Sequence, residues 1–384
     1  MPGVDFSVEN DKMVPVHYRQ GAFPPDERLD WQRLAPALAS ASLALGRYDN
    51  ALVEMPNSNL LLSVFARREA DFSSRIEGTQ VSMEQVMRFE AGEIPGTSRE
   101  REDIEEVINY QRATDLARKL LANQALSLEI ILEVHQILLS GTRGQNRNPG
   151  SFRANQNWIG TRGGTIHDAR YIPVRIGRMY EALDTWLSYT LNDPSVPLVK
   201  VALMHAEFEA IHPFGDGNGR LGRMLIPLMM WQYGLISEPL FNVSAYLESM
   251  REEYIDRLQA VSGDDDWTGW CKFFLQTVTS QAGEDLAKMR KVTSLYDGLK
   301  IRIAEIGRSK YGIAILDGIF SRPIFTTSSI VVETRVPVRA ARRILGRFRD
   351  HEILKELKPG TGQSPSVFLF TDLLEIAEGK AAPQ

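Results

Sequence analysis

From residue 31 to about 140, apolar residues recur at three- and four-residue intervals, the spacing of helices that bury one face. The run "REREDIEEVINYQRATDLARKLLAN" shows it well, with Ile104, Val107, Ile108, Leu116 and Leu120 separated by charges. Ser127 then stands where a helix N-cap belongs, with Glu129 in the first turn of "SLEIILEVHQILLSG", and Gly141 marks the stop. Between 142 and 176 the period is lost in a stretch rich in Gly, Asn and Arg. Inside it, "NWIG" and "TIHDARYIPV" flank Thr161-Arg162-Gly163-Gly164 and predict a β-hairpin. Helical spacing returns in "RMYEALDTWLSYTLN", "LVKVALMHAEFEAI", "MREEYIDRLQAVS" and a long segment that begins at "DWTGWCKFF". Residues 1–30, with Pro2, Pro15, Pro24 and Pro25, read as an extended lead-in.

After about 305 a new unit begins: helix "GIAILDGIF", helix "TTSSIVVET", a turn at "RVPV" and helix "VRAARRILGRFRDH". The end, "ILKELKPGTGQSPSVFLFTDLLEI", reads as two short strands around a Gly/Pro-rich tip. Helix, helix, turn, helix and hairpin is the outline of a winged helix-turn-helix. The chain as a whole is mainly α.

Composition narrows the class. With 384 residues, 43% of them hydrophobic and 24% charged, the chain can fold as two or three soluble domains. A net charge of -5 excludes a globally basic nucleic-acid binder and leaves room for a local basic patch. The lone Cys271 excludes an intrachain disulfide and suits a reducing cytoplasm. The first residues lack an apolar signal core, and "MLIPLMMW" is too short to span a bilayer, so the expected setting is cytoplasmic with no membrane partner.

One stretch, "AEFEAIHPFGDGNGRLGRMLIPLMMWQYG" at 206–234, interrupts two apolar helices with polar and flexible residues. His212 is an imidazole with an ordinary pKa of ~6.5, suited to general-base work near neutrality. Asp216 is a hard oxygen ligand of the kind Mg²⁺ takes. Gly217, Asn218 and Gly219 let backbone N–H groups turn inward at a helix start, which favours an anion. Arg220 and Arg223 share a helix face and can fork onto phosphates. Base, metal ligand, anion nest and arginines together predict phosphoryl or nucleotidyl transfer, in which catalysis is mostly positioning and charge stabilisation.

The string 212–223 resembles the signature of the Fic (filamentation induced by cAMP) family, H-x-F-x-D/E-G-N-G-R-x-x-R, at every specified position. The resemblance implies a mainly α fold: a Fic-type helical core with a β-hairpin flap, here followed by a C-terminal winged helix-turn-helix. It divides the chain into an N-terminal helical region (1–105), a catalytic core (106–285) and a linker helix with winged helix (286–384). It implies transfer of AMP from ATP to a Ser, Thr or Tyr hydroxyl of a target protein or of the chain itself. In that scheme His212 is the base and Phe214 anchors the loop. Asp216 holds Mg²⁺, while Gly217, Asn218, Gly219, Arg220 and Arg223 receive the phosphates. The flap near 157–172 would align protein substrates, and a homodimer is the family expectation.

"SSRIEG" at 73–78 matches the family's inhibitory motif, with Ser73 and Glu77 one helical turn apart. A carboxylate at Glu77 set against Arg223 would neutralise the charge meant for a phosphate, so low basal activity is expected. Two alternatives stay open: removal of AMP from modified proteins, and a winged-helix DNA-binding regulator whose core only senses nucleotide. The helix carrying Arg339, Arg342, Arg343, Arg347 and Arg349, preceded by Arg335, is the element that would enter a major groove, or else serve protein contacts.

Overall fold

The structure is a computed structural model that describes residues 15–19, 21–55, 63–160, 165–307, 309–361 and 364–379. Strand β1 (Val16–His17) leads into helices α1 (Trp31–Glu54), α2 (Ser63–Ile76), α3 (Met83–Glu90), α4 (Ser98–Leu121) and α5 (Leu128–Leu138). The short strands β2 (Ile159–Gly160) and β3 (Ala169–Ile172) precede α6 (Met179–Asn192), α7 (Pro197–Ile211) and α8 (Asn218–Gln232). Then follow α9 (Val243–Ser249), α10 (Arg251–Asp264) and the 41-residue α11 (Trp267–Gly307). The last unit comprises α12 (Gly312–Ser321), β4 (Ile324–Thr326), α13 (Thr327–Thr334), α14 (Val338–Asp350), β5 (Lys355–Lys358), β6 (Val367–Leu369) and α15 (Thr371–Glu378).

Helix α7 is largely apolar and buried on nearly every side, and is therefore the central helix, packed by α6, α8, α10 and α11. Trp186 and Trp270, both fully buried, donate their indole N–H groups to the Met204 and Ala202 carbonyls of α7 at 2.8 Å each. These bonds satisfy the one polar atom of each ring, so the full aromatic area can be buried without an unmet donor. Helix starts follow side-chain chemistry: Ser127 caps α5 by accepting from Ile130 N–H, and Ser82 with Gln85 forms a reciprocal capping box on α3.

The predicted hairpin is present as the antiparallel pair β2–β3, with its tip, Thr161–Gly164, outside the described residues. The lead-in does more than run extended. β1 pairs in parallel with the other side of β3, giving the order β1-β3-β2. Two residues are too short for a strand to announce itself by alternation. The C-terminal unit differs in two places. "TDLLEI" is the helix α15 rather than the end of a strand, because Leu373, Leu374 and Ala377 bury one helical face. Ile324–Thr326 adds a strand, so the sheet has order β4-β6-β5.

Helix α2, which carries Ser73 and ends one residue before Glu77, is held from behind. Arg68 on α2 reaches Asp285 on α11 at 3.4 Å, and Asn242 and Gln281 also donate to that carboxylate at 3.2 and 2.9 Å. Asp285 is fully buried, so its charge depends on these donors. Removing one partner of a buried ion pair strands the other. Asp285→Ala is therefore expected to lower unfolding stability by about 3–5 kcal/mol in urea titrations. A loss under about 1 kcal/mol, the range of an exposed ion pair, contradicts this role.

Candidate active site

The site is built where α7 stops and α8 starts. His212 closes α7 in the left-handed region (φ 49°), its N–H bonded to the Phe208 carbonyl at 3.0 Å. A non-glycine residue held there costs about 1–3 kcal/mol, so the surroundings must hold it. They do: Arg153 Nε and Asn157 Nδ2 donate to the His212 carbonyl at 3.1 and 3.3 Å, and Arg153 N–H donates to the Pro213 carbonyl at 2.9 Å. Phe214 is fully buried and stacks on His135, with ring centroids 3.7 Å apart. Asn218 spans the loop, accepting from Phe214 N–H at 2.8 Å and donating to its carbonyl at 2.9 Å. Gly217 (φ 79°) supplies the left-handed turn before α8.

His135 completes the support. Its Nε2 lies 3.0 Å from the Asp216 carbonyl, and its Nδ1 accepts from Gly150 N–H at 3.0 Å. A carbonyl can only accept, so Nε2 carries the proton and the ring is neutral. Burial pushes its pKa down to about 4, which agrees. The same logic fixes His212. Its Nδ1 faces the Glu209 carbonyl at 3.3 Å, so Nδ1–H donates and Nε2 keeps its lone pair. Burial lowers the His212 pKa to about 4, against a small opposing effect of the Glu209 bond. The ring is thus a free base at neutral pH.

Arg223 is 1% exposed and holds three acceptors: Ser73 Oγ (3.1 Å), the Ser73 carbonyl (2.8 Å) and Glu77 Oε1 (2.7 Å). Burial works against its charge, but Glu77 and the neighbouring acidic groups raise its pKa above the usual arginine value. For Glu77, loss of water acts to raise the pKa, but Arg223 wins and lowers it. The Glu77 carboxylate also lies over the start of α8: a Cβ at Gly219 would stand 2.3 Å from Oε1. A carboxylate therefore occupies the place where a helix N-terminus favours an anion.

These groups open on one cavity of about 390 Å³, lined by His212, Arg223, Glu77, Tyr254 and the flap residues Ile159 and Gly160. Arg220 and Asp216 lie to its side. Arg220 contacts Asp216 at 3.3 Å and the buried Glu106 at 3.6 Å, and its charge joins that of Arg223 in lowering the Glu77 pKa. Among the described residues no cluster of three or more His, Cys, Asp or Glu could enclose a metal. Asp216 alone, with its side chain 40% exposed, fits the Mg²⁺ habit of taking one or two carboxylates and completing its shell with phosphate oxygens and water.

Sequence reasoning placed His212, Asp216, Gly217, Asn218, Gly219, Arg220, Arg223, Ser73 and Glu77 as candidates, and the structure gathers all of them around this loop. It missed Arg153, Asn157 and His135, which act on carbonyls and leave no spacing signal. It also missed Glu209, half-buried one turn before His212 at the edge of the cavity, whose pKa desolvation pushes up to about 7. Tyr254 lines the cavity, its hydroxyl 2.9 Å from His205 Nε2.

Comparison with known proteins agrees with the geometry. The sequence pattern of the Fic/DOC family N-terminal region matches residues 35–119, and that of the Fic/DOC family matches residues 125–230. The chain belongs to the Fic/DOC family. It is 30% identical over 172 residues to protein adenylyltransferase fic-1 of Caenorhabditis elegans, covering 41% of this chain and 30% of that protein. It is 33% identical over 81 residues to a probable protein adenylyltransferase of Aquifex aeolicus, covering 21% of this chain and 24% of that one. The chain thus spans less than a third of the length of these curated relatives. A Fic family protein from Desulfovibrio desulfuricans shares the fold across 91% of this chain and 98% of its own, with TM-score 0.56 and 20% identity.

The His212 assignment has a direct consequence. Because the folded-state pKa lies below the ordinary value of ~6.5, the unfolded chain takes up this proton first as pH falls. His212 therefore makes stability decline from pH ~6.5 downward until the folded ring itself titrates, at about 4. Ring-nitrogen NMR should show a midpoint at about 4 with Nδ1 protonated; a midpoint near ~6.5 contradicts the assignment.

Proposed function

We propose that the chain is a protein adenylyltransferase kept at low basal activity by Glu77. The observation that carries this reading is that the free Nε2 of His212 and the buried Arg223 face the same cavity, with the Glu77 carboxylate between them and the start of α8. His212 Nε2 takes the proton of a Ser, Thr or Tyr hydroxyl. The oxygen attacks the α-phosphorus of ATP, the bond to the β-phosphate oxygen breaks, and pyrophosphate leaves. The N–H groups of Gly217, Asn218 and Gly219 and the guanidinium groups of Arg220 and Arg223 hold the phosphate charge. Asp216 would hold Mg²⁺, which supplies charge neutralisation at the phosphates when bound.

With Glu77 on Arg223, the γ-phosphate loses its cation and meets a like charge. ATP then sits with its α-phosphate turned from in-line attack. Protein substrates would add to the outer edge of β2, because β1 already covers the other edge of the flap sheet. The functional division at 105/106 and 285/286 and the winged-helix character of the last unit belong to the same reading. Among the described residues no helix is long and apolar enough to cross a membrane.

A second reading, removal of AMP from modified proteins, is favoured by the position of Glu77. Its half-exposed carboxylate opens on the cavity and interacts with His212, where it could orient a water. One assay separates the two. With α-labelled ATP, Mg²⁺ and target extract, Glu77→Gly is expected to raise labelling at least about tenfold and His212→Ala to abolish it, consistent with a general-base contribution of about 10²–10⁴. Equal labelling by wild type and Glu77→Gly contradicts the inhibitory role. Persistent labelling by His212→Ala contradicts the base. Wild type that only strips label from pre-modified protein, and loses this with Glu77→Gly, supports the second reading.

A further inference from the structure

We propose that the C-terminal unit binds double-stranded DNA through the exposed face of α14. Between residues 335 and 349 the chain has six arginines and no acidic residue, in a protein whose net charge is -5. The field there is local and opposite in sign to the rest of the molecule.

The helix sorts these arginines by role. Ala341, Ile344, Leu345 and Phe348 are buried on one side of α14, against α12 and α13. At 100° per residue the opposite side presents Arg339, Arg343 and Gly346, with Arg342 next to them, and all three arginines are exposed. Two arginines are already engaged: Arg349 pairs with Asp350 and Glu356 at 2.9 Å each, and Arg347 donates to the Ile306 carbonyl at 3.4 Å. Arg335, Arg339, Arg342 and Arg343 have no carboxylate in ion-pair range among the described residues, so their charge is available.

Shape favours a duplex over an acidic protein. α14 is the second helix of a helix-turn-helix: α13 ends at Arg335 in the left-handed region (φ 55°), and Pro337 caps the next helix. An α-helix in this position fits the major groove, with the residues of its N-terminal half nearest the bases. Gly346 leaves open space at the middle of the face, so a backbone can approach closely. Val332 and Val338, 79% and 46% exposed, flank the turn and offer apolar contacts of the kind a thymine methyl takes. Lys355 and Lys358 are exposed on β5, an edge strand of the adjoining sheet, where a hairpin would meet flanking phosphates. Arginine forks match both phosphate and guanine edges, whereas a merely solvated face needs no such geometry.

The test uses the full chain, a short labelled duplex of random sequence and fluorescence anisotropy across a salt series. Wild type is expected to bind at low salt, with log K falling linearly in log salt by about 0.9 per phosphate neutralised. The triple variant Arg339→Ala/Arg342→Ala/Arg343→Ala should lose at least about tenfold in affinity and flatten that slope by roughly 2–3. Its melting curve and AMP transfer should stay as in wild type, since these side chains touch neither core nor cavity. Absence of binding at low salt overturns the proposal, as does equal binding by the triple variant. Displacement of the duplex by poly-glutamate as readily as by unlabelled duplex also overturns it and assigns the face to an acidic polypeptide. The binding and melting readouts do not depend on whether the catalytic reading holds.

Discussion

Arg223 is a guanidinium that the fold removes from water, and a buried charge must be met by acceptors or its cost is several kcal/mol. Helix α8 brings it to the edge of the cavity, and α2 with the turn that ends it supplies three acceptors from Ser73 and Glu77. The position of α2 follows from this need. Its far side is tied to the body of the molecule by Arg68 on Asp285 and by Glu69, which accepts from Ser244 N–H at 3.1 Å. Loop, helix α2 and scaffold are thus one electrostatic assembly. The cation proposed to receive a triphosphate is also the cation that holds the end of α2 in this structure.

The same loop shows how local strain is stabilised by distant residues. His212 keeps its left-handed backbone because Arg153 and Asn157, which lie between α5 and the flap, bind its carbonyl. That conformation points Nδ1 at the Glu209 carbonyl and turns Nε2 toward the cavity. A low pKa then ensures that the ring is a base and not an acid before substrate arrives. In the proposed mechanism catalytic readiness and inhibition have separate causes: the first resides in the loop and its buttresses, the second in the end of α2.

Much of this was legible in the sequence because the chemistry is contiguous. Twelve residues from His212 to Arg223 carry the site, and helical periodicity places them between two apolar helices. Ser73 and Glu77 were legible only through the family resemblance, since a helix end followed by Gly78 has an ordinary explanation. What stayed hidden has a common physical basis. Arg153, Asn157 and His135 work through backbone carbonyls, which any sequence possesses. β1 and β2 have two residues each, below the length at which alternation can be read. The mainly helical fold and the flap were expected and are present. The pairing of the buried Arg220 with Glu106 could not be foreseen from three-residue spacing alone.

The central claim is that Glu77 acts by occupying Arg223. A cycle of ATP dissociation constants for wild type, Glu77→Gln, Arg223→Gln and the double variant tests it most directly, because coupling between the two positions is what the cycle isolates. Glu77→Gln should tighten ATP binding in the wild-type background, and Arg223→Gln should weaken it. In the Arg223→Gln background, the gain from Glu77→Gln should shrink to what removing the like charge alone gives. An equal gain from Glu77→Gln in both backgrounds would show that the carboxylate acts elsewhere.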